Sequence, residues 1–202
     1  MEDLVVPVRN LYEAVTQGTT EKRLPIEIVI DNSVLKGNIR TFDHTLLHVS
    51  WSKRESKYLV EAYLRYLAGR AAGVITHLCY ISGTKKEDAF EAVPLTQEEA
   101  TRRLTEIIKV YKTGFTHIIS FYPDLEISAK DILTIDLKKF KSKITGLIDR
   151  HEAPDPYIVQ VYEQGFFDRE EALTGFLDVY DLLIAPLTTL LPAYFEKPDK
   201  EK

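Results

Sequence analysis

The sequence predicts an α/β domain, α+β in the order of its elements, with helices covering a small sheet. Two observations carry that expectation. Apolar and polar residues alternate between Leu24 and Lys53, the period of half-buried strands, and the period lengthens to that of a helix between Lys57 and Arg70. Strand-like and helix-like segments keep interchanging beyond that point, an order that lays helices against the faces of a sheet. The 202 residues suit one domain, assigned to 1–196, with a charged tail at 197–202.

The elements follow in order. Leu4, Val5, Val8, Leu11, Tyr12 and Val15 stand at near-helical spacing, and Pro7, tolerated only in a first turn, predicts a helix that begins there. In LPIEIVID, Ile26, Ile28 and Ile30 alternate with polar neighbours to make a strand over 24–31. Asp31-Asn32 turns the chain into a second strand over 34–42, interrupted by Gly37. Phe42-Asp43-His44 turns it again into a third over 45–53, and the three form an antiparallel meander. A helix over 57–70 ends at Gly69 and Gly73, and VITHLCYIS (74–82) is an apolar strand. After the polar turn GTKKED, residues 89–95 continue extended, and Thr96 with Glu99 forms a capping box that opens a helix to Thr113. Leu133, Leu137, Phe140, Ile144 and Leu147 mark a long amphipathic helix over 128–150, APDPY breaks the chain, and a last helix runs from about Arg169 to Leu190, kinked or shortened by Pro186.

Composition removes several function classes. An apolar fraction of 45% with 11 Tyr and 9 Phe is enough to offset chain entropy, so the chain is not disordered. No uninterrupted run approaches the ~18–20 apolar residues of a membrane span, and MEDLVV lacks the basic and apolar regions of a signal peptide. A lone Cys79 excludes a disulfide framework or a cysteine zinc cluster and places the chain in a reducing cytoplasm. The net charge of −5 argues against tight autonomous DNA binding.

Catalytic signatures are scarce. There is no phosphate-binding loop, no dinucleotide fingerprint and no nucleophile elbow. His44 and His48 are four apart, a spacing that shares one strand face, but no carboxylate or thiolate nearby completes a metal set, and no metal or cofactor is expected. Cys79 reads as a small core hydrophobe.

A helix, three antiparallel strands, a helix and a further strand resemble the core of the restriction-endonuclease-like, PD-(D/E)xK-type nucleases. There the second strand ends in an Asp and the third carries D/E-x-K, the carboxylates holding Mg²⁺ and the lysine steadying the attacking water. This chain has Gly37-Asn38-Ile39-Arg40 and Ser50-Trp51-Ser52-Lys53 instead. Arg40, Ser50 and Ser52 therefore mark a lost active site. A guanidinium cannot ligate a cation, and at ~4 Å and an effective dielectric of ~20 it repels a divalent ion by roughly 8 kcal/mol.

VLKGNI, LLHVSWSK and KYLVEAYLRYLAGRAAG over Leu24–Gly73 resemble the C-terminal domain family of RecC, the gamma chain of exodeoxyribonuclease V. The resemblance continues through LTQEEATRRLTEIIKVYKTGFTHIISFYPDL, with Phe121-Tyr122-Pro123, and through Asp155-Pro156-Tyr157 to Phe176. It departs at Ile118-Ile119-Ser120 and at Gln164-Gly165. It implies a catalytically inert nuclease-like scaffold excised from a longer subunit. Its implied partners are RecB-like and RecD-like helicase subunits and double-stranded DNA ends, whose duplex the complex splits and whose strands it routes during cytoplasmic recombinational repair. Lys53, Arg54 and Lys57, with Trp51 nearby for base stacking, and Lys85 and Lys86 at a hairpin tip are the candidate DNA contacts; Lys138, Lys139, Lys141 and Lys143 read as a solvated helix face. Two rivals stand beside this reading. One is a residual nuclease using Glu27, Asp31, Asp43 and Glu61 with Lys53, and the other is an unrelated protein-interaction module.

Overall fold

The computed structural model describes residues 2–52, 55–83, 86–121 and 169–197, together with Ser142 and Phe166. Helix α1 (Glu2–Thr16) leads into strands β1 (Glu21–Ile30), β2 (Ser33–Phe42) and β3 (Thr45–Ser50). Helix α2 (Ser56–Ala71) crosses to β4 (His77–Ser82), followed by β5 (Asp88–Glu91) and α3 (Gln97–Thr113). The last described segment holds helices α4 (Glu170–Leu183), α5 (Ala185–Leu190) and α6 (Pro192–Glu196). The five strands form one mixed sheet in the order β1-β2-β3-β4-β5, with β3 and β4 parallel and the other neighbours antiparallel.

Strand alternation divides the buried residues between two sheet faces. Ile26, Ile28, Ile30, Ile39, Leu46, Leu78, Tyr80 and Phe90 face the main core, which α2, α3, α5 and α6 complete with Tyr63, Tyr66, Leu67, Leu104, Leu187 and Tyr194. Cys79 and Ile81 face the other way and pack with Leu47 and Val49 against Val8, Leu11, Tyr12 and Val15 of α1. Burial pushes the Cys79 thiol up to about 12, as befits a core residue. Among the described residues the sheet thus carries α1 on one face and α2, α3, α5 and α6 on the other.

Glycine matters at two positions around the end of α2. A Cβ at Gly69 would lie 2.7 Å from Ile75 Cδ1, so its absence lets the chain after α2 fold back on the helix. Gly73 follows at φ +71°, a left-handed conformation that reverses the chain. Thr96 caps α3 through the Glu99 N–H at 3.1 Å, but the Glu99 carboxylate turns to Arg102 and Arg103 rather than closing the box. Those two guanidiniums hold it down at about 2.

Several expectations are corrected. Helix α1 starts at Glu2, which puts Pro7 in its second turn at the loss of one backbone hydrogen bond. Gly37 does not interrupt β2, because the β1–β2 register runs unbroken from Glu21↔Phe42 to Ile30↔Ser33. Strand β3 stops at Ser50, short of Lys53. The last helix divides at Ile184, and Pro186 occupies the first turn of α5, where its missing N–H costs nothing. Glu170–Leu190, 21 residues with a mean hydropathy of 1.3 over an 18-residue window, also has the length and apolarity of a membrane span. Glu170, Glu171, Asp178 and Asp181 break its apolar runs, and Leu173, Phe176, Tyr180, Leu187 and Leu190 are buried within the protein. The helix expected over 128–150, its lysines and APDPY lie outside the described residues.

Candidate functional site

Strands β2 and β3 part almost as soon as they meet. Asp43 (φ 45°) and His44 (φ 70°) form a tight two-residue turn, Phe42 pairs with Thr45, and the register goes no further. Beyond that pair lies a cleft of about 390 Å³ that passes between the strands, lined by Asn38–Arg40 and Phe42 on one wall and Leu46–Val49 on the other, with Tyr12 and Arg65 among its walls. In an antiparallel ladder alternate residues direct both N–H and C=O at the same neighbour. Counting from Phe42↔Thr45, the groups of Asn38 and Arg40 on β2 and of Leu47 and Val49 on β3 face into the cleft.

Arg40 stands at the α1 side of this opening. Its Nε and Nη2 each meet a Glu21 carboxylate oxygen at 2.8 Å, a bidentate pair. Its guanidinium carbon lies 5.6 Å from the Phe42 ring centroid, and Nη2 is 3.5 Å from the Tyr12 hydroxyl. Arg23 lies directly across the ladder from Arg40, so the pull toward Glu21 also separates two like charges.

His48 borders the cleft from the core side. It is 7% exposed, its ring stacks on Tyr80 at 5.7 Å between centroids, and its Nε2 has no hydrogen-bond partner among the described residues. Burial lowers its pKa, opposed by Glu61 and reinforced by Arg65, so the ring is neutral at pH 7. Glu61 and Arg65 pair with each other at 2.6 Å on α2.

A second polar cluster sits beyond the carboxyl ends of β3 and β4. The Glu55 side chain, 1% exposed, accepts hydrogen bonds from Ser82 Oγ at 2.9 Å and from the Tyr194 hydroxyl at 2.7 Å. Ser82 Oγ in turn accepts from the Lys86 backbone N–H at 3.0 Å. Ser50 is buried beside Ser82 in the parallel register, and its Oγ accepts the Ser52 N–H at 3.3 Å. Glu55 has no counterpart among the residues the sequence singled out. An acidic residue just before a helix reads as a surface partner of the helix dipole. At the N-cap of α2 its side chain instead makes no cap bond and turns inward.

The model of the RecC C-terminal domain family matches residues 1–129, a span that contains the whole sheet, the cleft and Glu55. The chain belongs to the RecC C-terminal domain family. RecC is a non-catalytic subunit of RecBCD, a cytoplasmic bacterial DNA-processing complex that also contains RecB and RecD. No curated protein matches the chain.

Against this RecC-family fold the residues singled out from sequence fall in different places. Arg40 lines the cleft, whereas Ser50 and Ser52 do not. Ser50 follows Leu46 and His48 on the core side of β3, and Arg40 lies on the α1 side of β2. Trp51 is 48% exposed, with its Cε3 3.1 Å from where a Cβ on Gly83 would stand. Lys57 is exposed, its Nζ 5.1 Å from the Tyr58 ring centroid. Lys86 is not at the surface: its Nζ donates to the Lys197 carbonyl and lies over the Tyr194 ring. The bond from its backbone N–H to Ser82 draws it in and removes it from the accessible cations. Lys53, Arg54 and Lys85 lie outside the described residues.

The carboxylates of the residual-nuclease rival are scattered. Glu27 pairs with Lys36 and Glu61 with Arg65. Asp31 and Asp43 occupy the turns at opposite ends of the ten-residue β2, about 33 Å apart. Among the described residues no three His, Cys, Asp or Glu side chains are grouped to hold a metal ion. His44 Nδ1 is 3.1 Å from the Val74 carbonyl, while His48 is held under α2.

Proposed function

We propose that this chain is a catalytically inert, restriction-endonuclease-like scaffold domain of a RecBCD-type helicase–nuclease. It acts through contacts with RecB-like and RecD-like subunits and helps split the duplex and route its strands at double-stranded DNA ends. The observation that carries the reading is Arg40, gripped by Glu21 on the second strand where the related nucleases place a metal-binding carboxylate. A fixed positive charge there repels Mg²⁺, and the nearest carboxylate is already neutralised. The element order α1-β1-β2-β3-α2-β4, with β4 parallel to β3, supports assignment to the nuclease-like core.

In this reading residues 1–196 are one domain excised from a longer subunit. Its acidic balance suits a scaffold whose basic DNA channel belongs mostly to other domains and subunits. Trp51 and Lys57, with Lys53, Arg54 and Lys85, supply modest, salt-sensitive contact to DNA. Size-exclusion chromatography of the chain with its cognate RecB-like and RecD-like subunits tests the proposal. Co-elution is expected, and separate elution of all three would refute it.

A further inference from the structure

His48 and Tyr80 stand opposite each other in the parallel register of β3 and β4 and project from the same face of the sheet. Their rings are nearly parallel, 7° between planes, with centroids 5.7 Å apart. Both residues are buried, His48 at 7% exposure and Tyr80 at 0%. Neither His48 Nε2 nor the Tyr80 hydroxyl has a hydrogen-bond partner among the described residues. Two neighbouring polar atoms unpaired in a core are rare, because each forfeits its hydration without replacement. Tyr58 of α2 lies against His48 and Tyr194 of α6 against Tyr80, with ring centroids 6.5 and 5.7 Å apart. A group that pairs with both atoms under this cover must be small, and it must both donate and accept.

We propose that the protein binds a buried water molecule between His48 Nε2 and the Tyr80 hydroxyl. One water at about 2.8 Å from each partner joins atoms up to about 5.6 Å apart, the scale of the ring separation. Burial raises the Tyr80 phenol pKa, and the Glu55 side chain adds to the rise, so the O–H is retained and donates to the water. The neutral His48 ring is served in either tautomer, since the water donates to a bare Nε2 or accepts from Nε2–H. Ser50, two residues beyond His48 on the same strand face, acts on the same phenol and supplies a third polar group. That set matches the roughly three hydrogen bonds of an internal water. His48 also lines the cleft between β2 and β3, which gives the water a path to solvent. A metal ion does not suit the site, because no three His, Cys, Asp or Glu side chains are grouped among the described residues. The water joins His48 and Tyr80 to the polar layer of Ser50, Glu55 and Ser82, beneath the β3–α2 connection that carries Trp51.

A crystal structure of the full chain, at a resolution that shows ordered water, tests this directly. A density peak about 2.7–3.2 Å from both His48 Nε2 and the Tyr80 hydroxyl oxygen is expected. A direct bond between the two side chains, a protein group paired with either atom in the water's place, a peak that touches only one of them, or no peak would each overturn the proposal. An independent arm compares urea midpoints of the wild type, His48→Phe, Tyr80→Phe and the double variant. Each single substitution removes one partner of the water and leaves the other polar atom short, so each lowers the midpoint. The double substitution leaves neither atom to satisfy, and its midpoint is expected no lower than that of the less stable single variant. Losses that simply add would show that the two atoms share no water and would overturn the proposal. The crystallographic arm needs no variant and decides alone where a single variant does not fold.

Discussion

Tyr194 donates its hydroxyl to Glu55, 139 residues earlier in the chain, at 2.7 Å. The bond ties α6 to the start of α2 at the carboxyl ends of β3 and β4, and Ser82 shares the same carboxylate. A buried polar side chain of this kind is tolerated only where its hydrogen bonds are made.

Removing either donor should therefore destabilise the protein although neither residue lines the cleft. Tyr194→Phe and Ser82→Ala should each cost about 1–3 kcal/mol in urea unfolding, since each removes a hydrogen bond to a buried side chain. Their effects should not add. A double-mutant cycle with a coupling energy above ~0.5 kcal/mol is expected, and simple additivity would show that the carboxylate is satisfied elsewhere.

His48 gives a pH dependence of stability whose sign is fixed. Burial places its folded pKa below the unfolded value of 6.5, so the unfolded chain binds the proton first as pH falls. The contribution is fully present above pH 6.5 and is lost below it, by at most about 1.4 kcal/mol per pH unit. His48→Phe keeps an aromatic ring against Tyr80 and cannot titrate. The difference in melting temperature between wild type and variant should change between pH 7.5 and 5.5, and parallel curves would contradict the burial of His48.

Two glycines should respond oppositely to alanine. At Gly83 a Cβ would meet the Ser50 carbonyl oxygen at 2.8 Å, Val8 Cγ2 at 3.0 Å and Trp51 Cε3 at 3.1 Å. Gly83→Ala should cost about 1–3 kcal/mol because backbone forms one wall of that space. At Gly37 nothing lies within 4 Å of a Cβ, so Gly37→Ala should be neutral or stabilising by up to about 1 kcal/mol. Chemical denaturation of both variants decides the matter.

What the sequence revealed and what it hid have physical reasons. The alternation of Ile26, Ile28 and Ile30, the near-continuous apolar surface of α2 and the Thr96 cap are local signals, and local propensity and tertiary packing agree there. The parting of β2 and β3 left no trace, because Leu46, His48 and Ser50 keep their alternation whether or not a neighbour pairs with them. Glu55 and Lys86 carry the composition of a surface and are buried by contacts with Tyr194 and Lys197, far away in sequence. Arg40 is legible in the sequence only as a cation. Its lock to Glu21 required the β1–β2 register.

The central claim is that a nuclease-like domain persists here without nuclease chemistry. Incubating the purified chain with linear duplex DNA in Mg²⁺ and in Mn²⁺, and following acid-soluble nucleotide release, tests it most directly. The account predicts release no greater than in a protein-free control. Metal-dependent release that disappears on substituting Glu21, Glu27 or Glu61 would contradict it.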